Sequence, residues 1–265
     1  MILRALLLGD IVGEPGRDIL VKKLPLYRQK QSIDLCIANG ENVSGGSGLT
    51  AANARELWAA GVDVITMGDH IFKRKEIIPV LEKESRLLRP LNFSPMAAGS
   101  GAGVYTLPNG VKFAVVNLLG RVFMKPADCP FRAMDAVLPR LAAETPNLFV
   151  DMHAEATGEK IALGWHLDGR ATAVFGTHTH VQTADERVLP KGTAFLCDLG
   201  MTGPYDSVLG RRTDRVLQAT LTQMPYSFDV AKGDVRMSGA LVTFDAQTGR
   251  AIAIERIQVR EDQDL

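Results

Sequence analysis

The residues best suited to chemistry lie at 173–183, which read A-V-F-G-T-H-T-H-V-Q-T. An apolar run, Ala173-Val174-Phe175, stops at Gly176, and two histidines come next, His178 and His180. If the backbone stays extended there, residues two apart point to one side, and both imidazoles face one metal pair. Neutral imidazole is the commonest transition-metal ligand. Taken alone, the pair reads equally well as two polar loop histidines. Other run ends shift that balance. Leu6-Leu7-Leu8 runs into Gly9-Asp10, and Ile37-Ala38 into Asn39-Gly40-Glu41-Asn42. Val64-Ile65-Thr66-Met67 is followed by Gly68-Asp69-His70, and Leu148-Phe149-Val150 leads through Asp151-Met152 to His153. Five apolar runs thus end in groups able to bind a metal, and they use four of the chain's five histidines. In open α/β sheets the ligand site lies beyond the carboxyl ends of the strands, where loops gather side chains distant in sequence.

Asp, Glu and Asn supply hard oxygen here, His supplies nitrogen, and no thiolate takes part. The donors are too many for one tetrahedral zinc. They suit two metals of five or six coordination, manganese or iron, bridged by one carboxylate; zinc or magnesium would also accept such donors.

The elements that must position these groups alternate between short apolar runs and amphipathic stretches. Strands are expected at 2–8, 35–38, 62–67, 147–152, 172–175 and 193–198, and helices at 16–29, 50–60, 75–84, 134–143 and 215–223. Thr50 is a candidate N-cap and Gly61 a helix stop. Pro25 and Pro79 weaken two of the helices. Residues 103–107 and 111–118 form a hairpin turning at Asn109-Gly110, after a loop at 90–103. Residues 237–244 and 250–260 form a terminal hairpin, and the polar tail 261–265 reads as frayed. No repeat or linker divides the chain, which reads as one α/β domain, 1–265, with mixed sheets covered by helices.

Composition narrows the class further. The 265 residues are 46 % apolar and 23 % charged, with 30 basic and 30 acidic side chains and no net charge. That excludes a strongly basic nucleic-acid or membrane-surface binder. Cys36, Cys129 and Cys197 form no C-x-x-C, and two of them sit in apolar runs, which suits a reducing compartment. The apolar start ends in Gly-Asp and reads as a strand and not a signal peptide. No run nears the ~18 residues that span a bilayer. A cytoplasmic location is the expectation. A homo-oligomer is common for soluble enzymes, though no stretch specifies one.

The blocks G-D-I-V-G (9–13), N-G-E-N-x-S-G-G-x-G (39–48), M-G-D-H (67–70), H-A-E-A-T (153–157), G-T-H-T-H-V-Q-T (176–183) and L-G-M-T-G-P (199–204) resemble the bacterial YmdB-like metallophosphoesterases, of the calcineurin-like phosphoesterase superfamily. The resemblance covers nearly the whole chain, in order. It implies a two-layer β-sandwich flanked by α-helices, with a dinuclear site at the loop ends. It also implies phosphodiesterase activity on cyclic nucleotides, including 2′,3′-cyclic AMP. Carried over, Asp10, Glu41, Asn42 and His180 would hold one metal, with Glu41 bridging. Asp69, His153 and His178 would complete the other. A hydroxide between the metals would attack phosphorus while His70, not a ligand, acts as the general acid.

Several residues keep a plain reading beside a functional one. Gly45, Gly46 and Gly48 either let backbone approach a ligand or make a tight turn. Glu155, Thr157 and Lys160 are candidates to orient His153, though Lys160 reads first as a surface ion pair. His166 and Trp58 read as structural, and Arg17, Arg211 and Arg212 as solvated charges. An amidohydrolase barrel would carry His-x-His on its first strand, and this chain has only Asp10 there. A weakly catalytic, metal-dependent nucleotide-binding regulator is the alternative, and one departure keeps it open. The resemblance has Gly-Asn-His where this chain has Gly68-Asp69-His70. A carboxylate there tightens metal binding and makes the metal pair less electrophilic. Asp69→Asn should therefore change metal content or rate. Unchanged values of both, by elemental analysis and steady-state kinetics, remove position 69 from the ligand set.

Overall fold

The structure is a computed structural model that describes residues 1–264. The chain starts with β1 (Ile2–Leu8), the short β2 (Asp10–Ile11) and α1 (Gly13–Lys30). It continues through β3 (Leu35–Asn39), α2 (Ala51–Ala60), β4 (Val64–Thr66), α3 (Ile78–Lys83) and β5 (Leu87–Leu88). A second run comprises β6 (Ala102–Thr106), β7 (Lys112–Leu119), α4 (Pro130–Glu144), β8 (Leu148–His153), α5 (Thr157–His166), β9 (Ala173–Thr177), β10 (Arg187–Val188) and β11 (Ala194–Leu196). The last run is β12 (Met201–Pro204), α6 (Thr213–Thr222), β13 (Val235–Asp245) and β14 (Arg250–Arg260).

The strands form two sheets. One has the order β2-β12-β13-β1-β3-β4-β5, with β14 on the outside of β13; the other runs β10-β11-β9-β8-β7-β6. In the first, β1, β3, β4 and β5 are parallel. In the second, β7, β8, β9 and β11 are parallel.

The two-residue period of a strand divides the apolar side chains between three cores. Leu3, Ala5 and Leu7 of β1 face Phe113, Val115, Phe149 and Phe175 across the gap between the sheets. Leu6 and Leu8 face Ile19, Leu20 and Leu24 of α1 and Leu57 of α2. Val116, Val150 and Val174 face Met134, Leu138 and Leu141 of α4 and Leu163 of α5. The layers are therefore helix, sheet, sheet, helix, as the family resemblance implied. Burying each large apolar side chain contributes roughly 1.5–3 kcal/mol. With both sheets packed on both faces, the parallel strands read as continuous apolar runs.

Local signals worked where the sequence carried them. Thr50 accepts the Asn53 amide at 3.2 Å, and Gly61 closes α2 at φ +108°. Pro79 stands in the first turn of α3, where its missing N–H costs nothing. The Asn109-Gly110 turn joins β6 to β7, with Gly110 at φ +85°. Pro25 does not break α1, which runs to Lys30; the carbonyl it leaves without a donor belongs to Val21, on the exposed face. The tail is not loose through residue 264. Glu261 donates its amide to Val235 and pairs with Lys22, and Lys23 reaches the Gln263 carbonyl. Leu265 lies outside the described residues.

Helix α5 was not foreseen, because Gly158 and Gly164 depress helix propensity. Gly164 is needed there, since a Cβ would lie 2.5 Å from the Phe195 ring. The same helix overturns the surface reading of Lys160. Its side chain is 1 % exposed and meets Asp198 at 2.7 Å. Asp198 also accepts the Thr179 amide at 3.2 Å and hydroxyl at 2.6 Å. The pair thus pins the loop that carries both His178 and His180. His166 pairs with Asp135 at 2.9 Å, a structural contact as expected. Cys36 and Cys197 are buried and unlinked, and burial pushes the Cys197 thiol up to about 11. Among the described residues no helix is long and apolar enough to cross a membrane.

Removing one partner of a buried ion pair strands the other charge. Lys160→Met should lower unfolding free energy by about 3–5 kcal/mol in chemical denaturation. A loss under about 1 kcal/mol would mean that Asp198 finds water or another donor.

Candidate metal centre

The parallel strands of both sheets release their carboxyl ends at one edge, and all five foreseen endings meet there. Asp10 follows β1, Glu41 and Asn42 follow β3, and Asp69 and His70 follow β4. His153 closes β8, and His178 and His180 follow β9. Glu41, Asp69, His153 and His178 each offer a ligand atom, all within 4.8 Å of one another. Glu41 Oε2 is 3.3 Å from His153 Nε2, and Asp69 Oδ1 is 3.8 Å from the same nitrogen. His178 Nδ1 approaches it to 3.1 Å.

Asp10, Asn42 and His180 form an adjoining group on the other side of Glu41. His180 Nε2 is 3.7 Å from Asp10 Oδ1 and 3.2 Å from the Asn42 amide nitrogen. Asn42 donates to Glu41 Oε1 at 3.1 Å. Its oxygen faces His70 Nδ1 at 2.8 Å, so metal ligation through that oxygen requires the amide to turn over. Glu41 therefore touches both groups with different oxygens.

Backbone geometry differs from the extended expectation. Strand β9 ends at Thr177, and His178 and His180 have φ of +96° and +62°. Side chains rarely adopt this region, so outside bonds must hold it. Asp10 Oδ2 accepts the His178 amide at 2.9 Å, and Asp198 holds Thr179 between the histidines. Gly176 allows the close packing beneath, since a Cβ would collide with the Cys197 carbonyl. Gly68 keeps the centre open, because a Cβ there would collide with His153 Nε2 and Glu41 Oε2.

Tautomers follow from the partners. Thr177 donates its hydroxyl to Asp151 at 2.8 Å, so it accepts from His153 Nδ1 at 2.9 Å. His180 Nδ1 donates to the Leu209 carbonyl at 3.0 Å. The Nε2 atom of each ring is left facing the carboxylates, and it is the nitrogen that a metal would take. Asp151 also accepts from Thr66 at 2.5 Å and Asn39 at 3.3 Å, and burial pushes its carboxyl up to about 6. Asn39, Thr66, Asp151 and Thr177 thus orient His153. Sequence reading gave that task to Glu155, Thr157 and Lys160. Glu155 instead meets His178 Nε2 at 3.2 Å, and Thr157 opens α5. The available signal was a carboxylate inside the apolar run L-F-V-D-M.

The electrostatics are those of a cation site. Burial raises the Asp10 carboxyl above its usual value, and Glu41 and Asp198 add to that against His180 and His153. Burial also raises Glu41, but His153 and His70 outweigh it and hold the carboxyl well below the usual range. For Asp69, burial is outweighed by the nearby His153 imidazole, helped by His70, and the carboxyl falls to about 2. Burial disfavours His153 protonation, yet Glu41, Asp69 and Asp10 lift its pKa well above normal. Burial and the neighbouring His153 lower His178 to about 4, so its imidazole is neutral. Asp10 Oδ1 and Asp69 Oδ1 are buried with no hydrogen-bond partner. Such orphaned acceptors cost about 1–3 kcal/mol each. Oxygen and nitrogen donors around orphaned carboxylate oxygens fit divalent cations.

Two further placements bear on the site. Lys125 Nζ lies 3.2 Å from Asp69 Oδ2, so a lysine offsets the charge that Asp69 adds. Arg211 is no solvated charge: it bonds the carbonyls of Gly45 and Gly46, while Arg74 reaches Ser44. Gly45, Gly46 and Gly48 all have positive φ, so the glycine loop is a turn clamped by two arginines.

Paired sheets inside helices, with carboxylates, an amide and imidazoles at the carboxyl ends of parallel strands, define the metallophosphoesterase class. Within that class the chain belongs to the YmdB-like protein family, whose model matches residues 6–257. It is 46 % identical over 260 residues to a Bacillus subtilis (strain 168) protein named 2′,3′-cyclic-nucleotide 2′-phosphodiesterase, covering 98 % of each. A crystal structure of a hypothetical protein from Thermus thermophilus superposes with a TM-score of 0.92 at 41 % identity, over 98 % of this chain and all of that one. A structure from Mycoplasma pneumoniae, described as a novel phosphatase, also gives 0.92, at 34 % identity over 99 % of this chain and 95 % of that one.

Groups that orient a ligating histidine typically set about 10–100-fold in metal affinity. Thr177→Val removes the hydroxyl between Asp151 and His153 and should weaken metal binding by that factor in a competition titration. Wild-type affinity in the variant would show that His153 needs no such support.

Proposed function

We propose that this enzyme hydrolyses phosphodiesters of the 2′,3′-cyclic nucleotide class at a dinuclear metal site, with His70 as general acid. Two findings support the coarser part, a hydrolase of phosphoric esters: the family, and relatives named as phosphodiesterase and phosphatases. The observation that supports the metal site is the pair of orphaned carboxylate oxygens, Asp10 Oδ1 and Asp69 Oδ1, and the substrate class follows the name of the Bacillus subtilis relative. Asp10, Glu41, Asn42 and His180 would hold one cation, and Glu41, Asp69, His153 and His178 the other. Manganese or iron suits this donor mixture. When bound, such ions offset charge on the phosphate oxygens and lower the pKa of a water toward about 7.

The remaining work falls to the chain. His70 Nδ1 lies 2.8 Å from Asn42 Oδ1 and 3.2 Å from Glu41 Oε1; once Asn42 turns its oxygen toward a cation, Glu41 Oε1 remains to accept from that nitrogen. The His70 backbone amide donates to Glu41 Oε2 at 3.1 Å, which fixes the ring beside the centre. The side chain is 28 % exposed, against 1 % for Glu41 and none for His153, so its Nε2 can meet a substrate. Water releases one proton to solvent and adds to phosphorus, the bond to the 2′ oxygen breaks, and His70 gives its Nε2 proton to that oxygen. The product is a 3′-monophosphate. The competing reading, a weakly catalytic nucleotide-binding regulator, rests on the charge of Asp69. Lys125 offsets that charge and so favours turnover. Three unlinked cysteines, Cys36 and Cys197 of them buried, suit our placement of the enzyme in the cytoplasm.

Purification without chelator should yield about two metals per chain by elemental analysis, with chelator-sensitive turnover of 2′,3′-cyclic AMP. His70→Ala should cut turnover by about 10²–10⁴-fold and keep both metals. Loss of the metals in that variant would make His70 a ligand. Absence of metal uptake in the wild type would overturn the proposal.

A further inference from the structure

Beside Asp69 the surface opens into a pocket of about 580 Å³, lined by Phe72, Phe93, Ala97, Lys125, Pro126 and Asp128 among others. We propose that this pocket is the nucleobase subsite, where Phe72 and Phe93 take the face of the base; the proposal rests on the phosphodiesterase reading above. Three features carry it. The pocket is mostly apolar in lining yet open to water, and Phe72 is 36 % exposed. Its ring lies 6.4 Å from that of Phe93, tilted by 31°, so two aromatic faces border one space. Aromatic faces exposed in this way are the usual platforms for bases.

The second feature is continuity with the metal centre. Phe72 stands two residues after His70, in a turn held by the Lys73 amide on the His70 carbonyl and the Ile71 amide on that of Gly68. Lys125 lines the pocket and reaches both the Asp69 carboxylate and the Asp69 carbonyl at 3.2 Å. One lysine therefore spans from the pocket wall to a candidate ligand. In a nucleotide one ribose separates phosphate from base. A base in this pocket would be joined through that ribose to a phosphate at the centre.

The third feature is charge. Lys125 puts a cation at the junction of pocket and centre, with its side chain 57 % exposed. It complements an anionic phosphate entering there. Asn92, also in the lining, spends its amide on Leu119 and Asp128 and holds the loop that carries Lys125. Recognition is then by stacking, which tolerates different bases.

The test compares 2′,3′-cyclic AMP with glycerol 1,2-cyclic phosphate, which has the same five-membered cyclic diester and no base. The wild type should favour the nucleotide through KM. In Phe72→Ala that preference should narrow by about 5–150-fold, the worth of one stacked base, with kcat for the nucleotide little changed. Phe93→Leu, which keeps apolar volume, should narrow it in the same sense. Adenosine 3′-monophosphate binding, measured by calorimetry on the metal-loaded protein, should weaken by a similar factor in both variants. An undiminished preference with unchanged affinity in both variants would overturn the proposal and place the base elsewhere. If the wild type turns over neither diester, the phosphodiesterase reading fails by itself, and the calorimetry still decides the pocket.

Discussion

Three carboxylates gather at the edge of two packed sheets, with Glu41 within 4.8 Å of Asp69 and in electrostatic contact with Asp10. Like charges in a low-dielectric interior repel strongly, and burial strips them of water. Nothing in the apolar layers compensates for that cost. Without a cation, His153 must serve as the counter-charge, which is why its imidazole holds a proton so firmly. A cation there would take over that task and leave the same nitrogen free to ligate it. The site is thus held together by whatever positive charge occupies it, and the fold must supply the rigidity that repulsion would otherwise undo. The layers of apolar side chains, the arginine-clamped glycine turn and the Lys160–Asp198 pair all act in that sense.

Much of this was legible because strand endings are local in sequence. Each apolar run announces a buried strand, and the next few residues lie at the carboxyl edge, whatever the partner strands are. Asp10, Glu41, Asp69, His153, His178 and His180 could all be collected on that rule alone. Conformation at the endings was not legible. An extended His-x-His seemed natural, but the strand stops at Thr177, and Asp10 and Asp198 hold the following residues at positive φ.

The groups that orient the ligands were harder to see, for a physical reason. A threonine or asparagine in a strand looks the same whether its side chain meets water or a buried carboxylate. Asn39, Thr66 and Thr177 acquire their role only when β3, β4, β8 and β9 are side by side. Lys160 is the sharper case. Charge alone argues for the surface, and only the fold places Asp198 within reach of it. Helix α5 was hidden by its glycines, one of which exists to let Phe195 in.

The contact between Asp69 and Lys125 has a consequence for the balance of charge at the centre. The two residues are 56 positions apart, on different loops. A carboxylate at 69, where the resemblance has a neutral amide, lies beside Glu41 with the Lys125 ammonium 3.2 Å from its Oδ2. A neutral amide at 69 would leave that ammonium without its carboxylate partner, beside a centre that collects positive charge. The charges at 69 and 125 are therefore coupled, and removing one changes the field that the other adds to the centre.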